Sequence, residues 1–124
     1  MCLKPKIKEM NCLVRFVTLN SVIGITLAPF GIYIRKEYLN WNWIVNHEKI
    51  HWQQQIEMLI VFFYLWYLIE WFIRKFLFFQ KKAYHKISFE REAFYYEENL
   101  NYLNNRKHFT WMKFLSKNNS THYC

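Results

Sequence analysis

His47, Glu48 and His51 are the residues of this chain whose types and spacing could do chemistry. They form His47-Glu48-Lys49-Ile50-His51, an HExxH string, in a stretch that reads as helix on both sides. On a helix, residues four apart lie on one face, roughly 5–6 Å apart. Two imidazoles so placed can hold one divalent metal ion, Zn²⁺ above all. The Glu after the first His then reaches a water at that metal as general base. The plainer alternative is two partly buried histidines on an amphipathic helix. The full five-residue match favours the metal.

The element that must position these residues is a helix over about 43–58. Tyr38 to Asn46 leads into it, with Asn40 or Asn42 as N-cap. From Trp52 to Met58 there is no Pro or Gly to stop it. His47, His51 and Gln54 share one face at i, i+4 and i+7, and Ile44, Val45, Trp52 and Ile56 supply apolar neighbours.

A catalytic zinc site needs a third protein ligand and an open position. The other histidines are His85, His108 and His122, and the cysteines are Cys2, Cys12 and Cys124. There is no Asp, so a carboxylate ligand must be a Glu. The best segment is Ser88-Phe89-Glu90-Arg91-Glu92-Ala93-Phe94, which reads as a helix start with Ser88 as N-cap. Either Glu90 or Glu92 could be the ligand, or both could simply favour the helix dipole. Successive helix positions point about 100° apart, so both cannot aim at one metal from an undistorted helix.

These motifs resemble gluzincin-type metallopeptidases, which pair an HExxH helix with a Glu on a later helix. Membrane-bound members, of the HtpX and CAAX-endopeptidase kind, carry a Glu with Ala three residues on and Asp four on. Glu90 with Ala93 fits that spacing, whereas Phe94 stands where the family places Asp. The resemblance implies His47, His51 and Glu90 as zinc ligands, Glu48 as catalytic base and Glu92 as fallback ligand. It covers about residues 20–100. It extends to a minimal peptidase core found in small bacterial proteins of unassigned substrate. It implies a peptide or protein substrate and a membrane-associated enzyme, at a bacterial inner membrane with the site facing the cytoplasm. Without the Asp, the carboxylate that usually orients a ligating His has no counterpart at that position.

At 124 residues the chain reads as one domain, 1–124. It is 53% hydrophobic and 22% aromatic, with only two Gly and two Pro, which favours long helices over a turn-rich β fold. Three scattered cysteines make neither a metal spacing nor an even disulfide set, which suits a reducing compartment. The net charge of +8 raises nucleic-acid binding. The aromatics, however, sit in apolar runs and are not interleaved with the basic residues, which argues for no nucleic-acid partner.

The apolar residues gather over 59–79. Met58 to Ile69 runs twelve residues without a charge. The interruptions at Glu57 and Glu70 leave 56–73 just short of the roughly 20 residues a span needs. Trp and Tyr residues resemble interfacial anchors, and Arg74, Lys75, Lys81, Lys82 and Lys86 suit anionic headgroups. One straight helix from 43 to 79 would run about 55 Å and carry residue 90 far from His51. A zinc site therefore requires the chain to reverse between about 60 and 87. An apolar helical hairpin would do this, either embedded from one side or packed inside the domain.

Residues 13–35 are apolar too, but Arg15, Asn20, Pro29 and Gly31 argue against a second span. Val22 to Leu27 and Ile32 to Arg35 read as strands joined at Pro29-Phe30-Gly31. The apolar run after the basic Met1–Met10 has no clear small-residue cleavage site, which argues against a removed signal peptide. The expected fold is α+β, mostly α. It is a zincin-like core with an N-terminal β-hairpin, the HExxH helix, the apolar hairpin, a Glu helix over 88–104 and a mobile tail at 117–124. An edge strand in such a core can hold an extended substrate backbone. Tyr84, His85, Tyr95 and Tyr96 are candidates for an additional electrophile. The favoured function is a membrane-associated zinc metallopeptidase. The alternative is a non-enzymatic membrane-associated protein with an incidental or structural metal.

Overall fold

The computed structural model describes residues 5–12, 23–77 and 86–115. The expectations for residues 13–22, 78–85 and 117–124, with Tyr84, His85 and the tail, lie outside the described residues. The fold is mostly helical with one small sheet of three strands.

Gly24–Leu27 (β2) and Gly31–Ile34 (β3) form the antiparallel hairpin that their β-branched residues favour. The basic N-terminal stretch, read above only for its charge, supplies a third strand. Ile7–Glu9 (β1) pairs parallel to β3, giving the order β1-β3-β2. Its side chains are exposed, so main-chain bonds hold it. Ile32 N–H donates to the Lys6 carbonyl at 2.8 Å and Met10 N–H to the Ile34 carbonyl at 2.8 Å. Gly31 makes this approach possible. Its φ is +145°, and a Cβ there would lie 2.7 Å from the Lys6 carbonyl oxygen.

Ile32 and Ile34 turn onto the HExxH helix, Asn42–Glu57 (α1), and pack with Ala28, Ile44 and Trp52. Neither Asn40 nor Asn42 caps that helix. Trp41 holds the N-cap position without a side-chain bond, and its carbonyl accepts from Ile44 and Val45 N–H. α1 ends at Leu59 and Ile60, which adopt φ of 55° and 64°. Val61 N–H closes a tight γ-turn on the Leu59 carbonyl at 2.6 Å. The axis bends by 111° into Val61–Phe72 (α2), which continues as a π-helical turn over Ile73–Leu77. The reversal is thus made by three residues before α2. The apolar hairpin expected within 59–79 is, over its described part, one helix.

Ser88–Tyr96 (α3) starts at a carboxylate borrowed from α2. Glu70 accepts from Ser88 N–H at 2.7 Å and from Ser88 Oγ at 2.5 Å, and pairs with Arg74 at 3.0 Å. Ser88 is therefore not the cap. Ile87 occupies that position, and Glu70 satisfies a helix-start donor that would otherwise be orphaned. The single helix expected over 88–104 is also divided, into α3 and a short Tyr102–Asn105 (α4). Asn46 of α1 gives the physical reason. Its Nδ2 lies 3.2, 2.8 and 3.0 Å from the carbonyl oxygens of Tyr96, Glu97 and Asn99, taking up the end of α3. A 3₁₀ turn at Thr110–Phe114 closes the described fold, with Trp111 against Phe89 and Phe63 stacked on Phe89.

Gly31→Ala tests the main-chain attachment of β1. The added Cβ meets backbone, in a conformation that side chains rarely adopt, so a loss of about 1–3 kcal/mol is expected. Urea unfolding measures it. An unchanged midpoint would show that β1 leaves β3 at no cost.

Candidate metal centre

α1 and α3 bring His47, His51 and Glu90 together, all three buried. His47 Nε2 lies 3.3 Å from Glu90 Oε1, His51 Nε2 lies 3.1 Å from the same oxygen, and the two Nε2 atoms are 3.2 Å apart. These separations fit a metal ion. Ligands about 2.0–2.1 Å from a tetrahedral centre stand about 3.3–3.4 Å apart from one another.

The surrounding hydrogen bonds fix which ring nitrogen carries the proton. His47 Nδ1 is 2.8 Å from Glu97 Oε2, and a carboxylate only accepts, so Nδ1 donates. His51 Nδ1 is 2.8 Å from Gln54 Oε1. Gln54 Nε2 donates to the Phe89 carbonyl at 3.0 Å and to Glu92 Oε1 at 2.9 Å, which leaves Oε1 as the acceptor. With both Nδ1 atoms protonated, each neutral ring offers a lone pair at Nε2. Two lone pairs and a carboxylate oxygen then face one point. A positive charge must compensate them, either as protons on the rings or as a metal ion.

The electrostatics of the metal-free site follow. Burial opposes charge on His47, but Glu90 and Glu97 outweigh it and push its pKa up to about 10. Burial opposes charge on His51 also, and the Glu90 carboxylate outweighs it, raising the pKa. Burial would raise Glu90, yet His51 and His47 hold it well below the usual carboxylate range. A buried cluster that keeps protons this firmly is one in which a metal ion must displace them.

Glu97 is the residue that sequence reasoning missed. The motif comparison gives it no role, yet it supplies the orienting carboxylate that Phe94 cannot. Phe94 instead sets its ring edge-on to His47, with centroids 4.7 Å apart. The signal was present: Glu97 follows Glu90 by seven residues, two helical turns along the same face. Glu92, the fallback ligand, is fully buried elsewhere. It accepts from Gln54, Tyr102 Oη at 2.5 Å and Arg106 Nε at 2.5 Å, and Arg106 is held in turn by Glu57. Glu92 therefore supports His51 through Gln54 and does not join the cluster. His108 is 80% exposed beside Glu57, so among the described residues no other histidine joins the site.

Glu48 sits at the mouth. Its Oε2 accepts from Thr26 Oγ1 of β2 at 2.7 Å, and a Cβ on Gly24 would lie 3.2 Å from its Oε1. Glu48, His51 and Glu90 line a cavity of about 210 Å³, walled by β2 on one side and by Phe63, Tyr64 and Tyr67 of α2 on the other. That is room for roughly seven waters at about 30 Å³ each. Tyr67 Oη donates to Glu90 Oε2 at 3.2 Å, leaving Oε1 for the cluster. Tyr95 is 51% exposed and Tyr96 stacks on Tyr102 at 3.7 Å. Neither Tyr95 nor Tyr96 lines this cavity; among the described residues Tyr64 and Tyr67 are the tyrosines that do.

Two measurements check this centre. Glu97→Ala keeps all three ligands but frees the His47 ring, so metal affinity should fall about 10–100-fold; an unchanged affinity would deny Glu97 its orienting role. Because protons compete with a metal ion for the cluster, metal affinity should rise with pH, about tenfold per unit for each proton displaced, until pH approaches the His47 value of about 10. Competition with a chelator at several pH values reads this, and a flat profile corrected for the chelator would contradict the proton assignment. No family model, curated protein or solved structure matches the chain.

Proposed function

We propose that the chain is a zinc metallopeptidase with a zincin-like core, in which His47, His51 and Glu90 hold the ion and Glu48 is the catalytic base. The observation that carries this reading is the convergence of two imidazole nitrogens and a carboxylate oxygen at 3.1–3.3 Å beside a cavity lined by Glu48. Two imidazoles and one carboxylate suit borderline Zn²⁺, and three protein ligands leave the open position of a catalytic site; a structural site has four. When bound, the ion supplies Lewis acidity, making water nucleophilic near neutral pH and polarising the carbonyl under attack.

The protein's own groups do the rest. Thr26 engages one oxygen of Glu48, which leaves the other to take a proton from the attacking water and return it to the departing amine. Gly24 leaves space for that carboxylate. Substrate alignment falls to β2. Ile32 and Ile34 turn their backbone groups to β1, so it is Gly31, Tyr33 and Arg35 that bond toward β2. The backbone groups of Gly24 and Thr26 therefore point away from β3, and Gln55 Nε2 already takes the Thr26 carbonyl at 2.8 Å. Gln55 Oε1 also accepts from Ala28 N–H at 2.8 Å, so among the described residues the Gly24 groups and the Thr26 N–H are what this edge offers beside the cavity for main-chain pairing with an extended peptide.

Glu48→Gln separates binding from chemistry. It removes the base and no ligand, so zinc content should match wild type while cleavage of a quenched-fluorescent peptide library falls about 10²–10⁴-fold. His51→Ala should lose most of the zinc. If Glu48→Gln lost zinc as fully as His51→Ala, Glu48 would be a ligand or a folding residue. Wild type that holds one zinc per chain and cleaves no peptide would point to a structural metal.

A further inference from the structure

α2 has its polarity turned inside out. Glu70 of α2 and Arg74 of its π-helical turn are buried and pair with each other at 3.0 Å. Its outer face carries Val61, Leu65, Leu68, Phe72 and Phe76, which are 48–70% exposed. These follow helical spacing as one stripe, flanked by the exposed Phe62 and Ile69. A helix packed against its domain in water shows the opposite pattern, and contiguous apolar patches of this extent mark an interaction surface. Charges turned inward with apolar side chains turned outward suit a helix whose outer solvent is hydrocarbon.

Two occupants could cover the stripe, a second copy of this chain or a lipid bilayer. The net charge of +8 favours the bilayer, because a second copy brings the same charge whereas anionic headgroups oppose it. Lys75 ends the stripe with its Nζ 4.7 Å from the Trp71 ring centroid and 5.6 Å from that of Phe76. An ammonium carried by aromatic rings at the edge of an apolar face suits a water–lipid boundary. The described part of the helix is also shorter than a crossing. Its twelve α-helical and five π-helical residues run about 25 Å, against a hydrocarbon core of about 30 Å. No described helix is long and apolar enough to span, and the 111° bend turns α2 away from the axis of α1.

We propose that α2 and its π-helical turn lie flat in one leaflet of an anionic bilayer, with the Val61–Leu65–Leu68–Phe72–Phe76 stripe in the acyl region and the metal cluster on the aqueous side. This placement does not depend on the zinc reading, since the stripe and the cluster share no side chain.

The test uses the full chain with vesicles of phosphatidylcholine, with and without phosphatidylglycerol. The protein should float with the vesicles, more tightly when phosphatidylglycerol is present, and His51→Ala should still float. Leu65→Glu with Leu68→Glu should weaken binding by at least about a hundredfold. Both positions face outward, and an unchanged circular dichroism spectrum checks the fold. Single-cysteine labels at 61, 68 and 76, placed after the native cysteines are replaced, then report depth through quenching by lipids carrying bromine along the chain. Depths within about 5 Å of one another, 5–10 Å into the leaflet, are expected for a helix lying flat. A steady descent of about 1.5 Å per residue from 61 to 76 is a span and overturns the proposal. A chain that stays off both vesicles and sediments as a dimer assigns the stripe to a second copy, and overturns it equally.

Discussion

Two imidazole lone pairs and a carboxylate oxygen repel one another when no proton lies between them, and here they stand 3.1–3.3 Å apart. Much of the described structure holds them in that position. Glu97 and Gln54 turn the rings, Tyr67 turns Glu90, and Asn46 keeps the end of α3 where Glu97 can reach. Behind Gln54 stand Glu92, Tyr102 and Arg106, and Arg106 bridges to Glu57 at the far end of α1. The buried polar groups are satisfied by one another in a connected network, which removes the large cost of leaving such groups alone in the interior. The point where three acceptors meet is left to a cation.

What was legible in the sequence is what lies close together along the chain. His47, Glu48 and His51 are neighbours on one helix, so a single periodicity argument finds them, and the spacing of Glu90 and Ala93 adds the later segment. The groups behind the ligands are less legible. The resemblance points to position 94 for an orienting carboxylate, whereas seven-residue periodicity from Glu90 leads to Glu97. Tyr67 was hidden for a different reason. Residues 58–79 read as an apolar run broken by a few charges, which masks the face formed by Phe63, Tyr67, Glu70 and Arg74. Glu70 in particular looked like an interruption, yet it starts α3.

The bend before α2 had no local signal. Left-handed backbone usually advertises itself through Gly or Asn, and Leu59 and Ile60 are neither. Ile60 packs against the cluster around Ala28, Ile32 and Trp52, while Leu59 beside it is exposed. β1 was equally silent, because an exposed strand held by its main chain needs no side-chain pattern. Both features depend on contacts between residues distant in sequence, which a periodicity reading does not contain.

Glu70 has a thermodynamic consequence. One carboxylate on α2 receives the first N–H of α3, and Glu90 follows Ser88 by two residues. The third donor atom of the cluster is thus mechanically tied to the seating of α2. A partner that distinguishes two seatings of α2 must also distinguish two metal affinities. Reciprocity then requires the ion to alter the affinity for that partner by the same factor. For such a partner, occupancy at the cluster and occupancy of the outer stripe become, through this one side chain, variables of a single equilibrium.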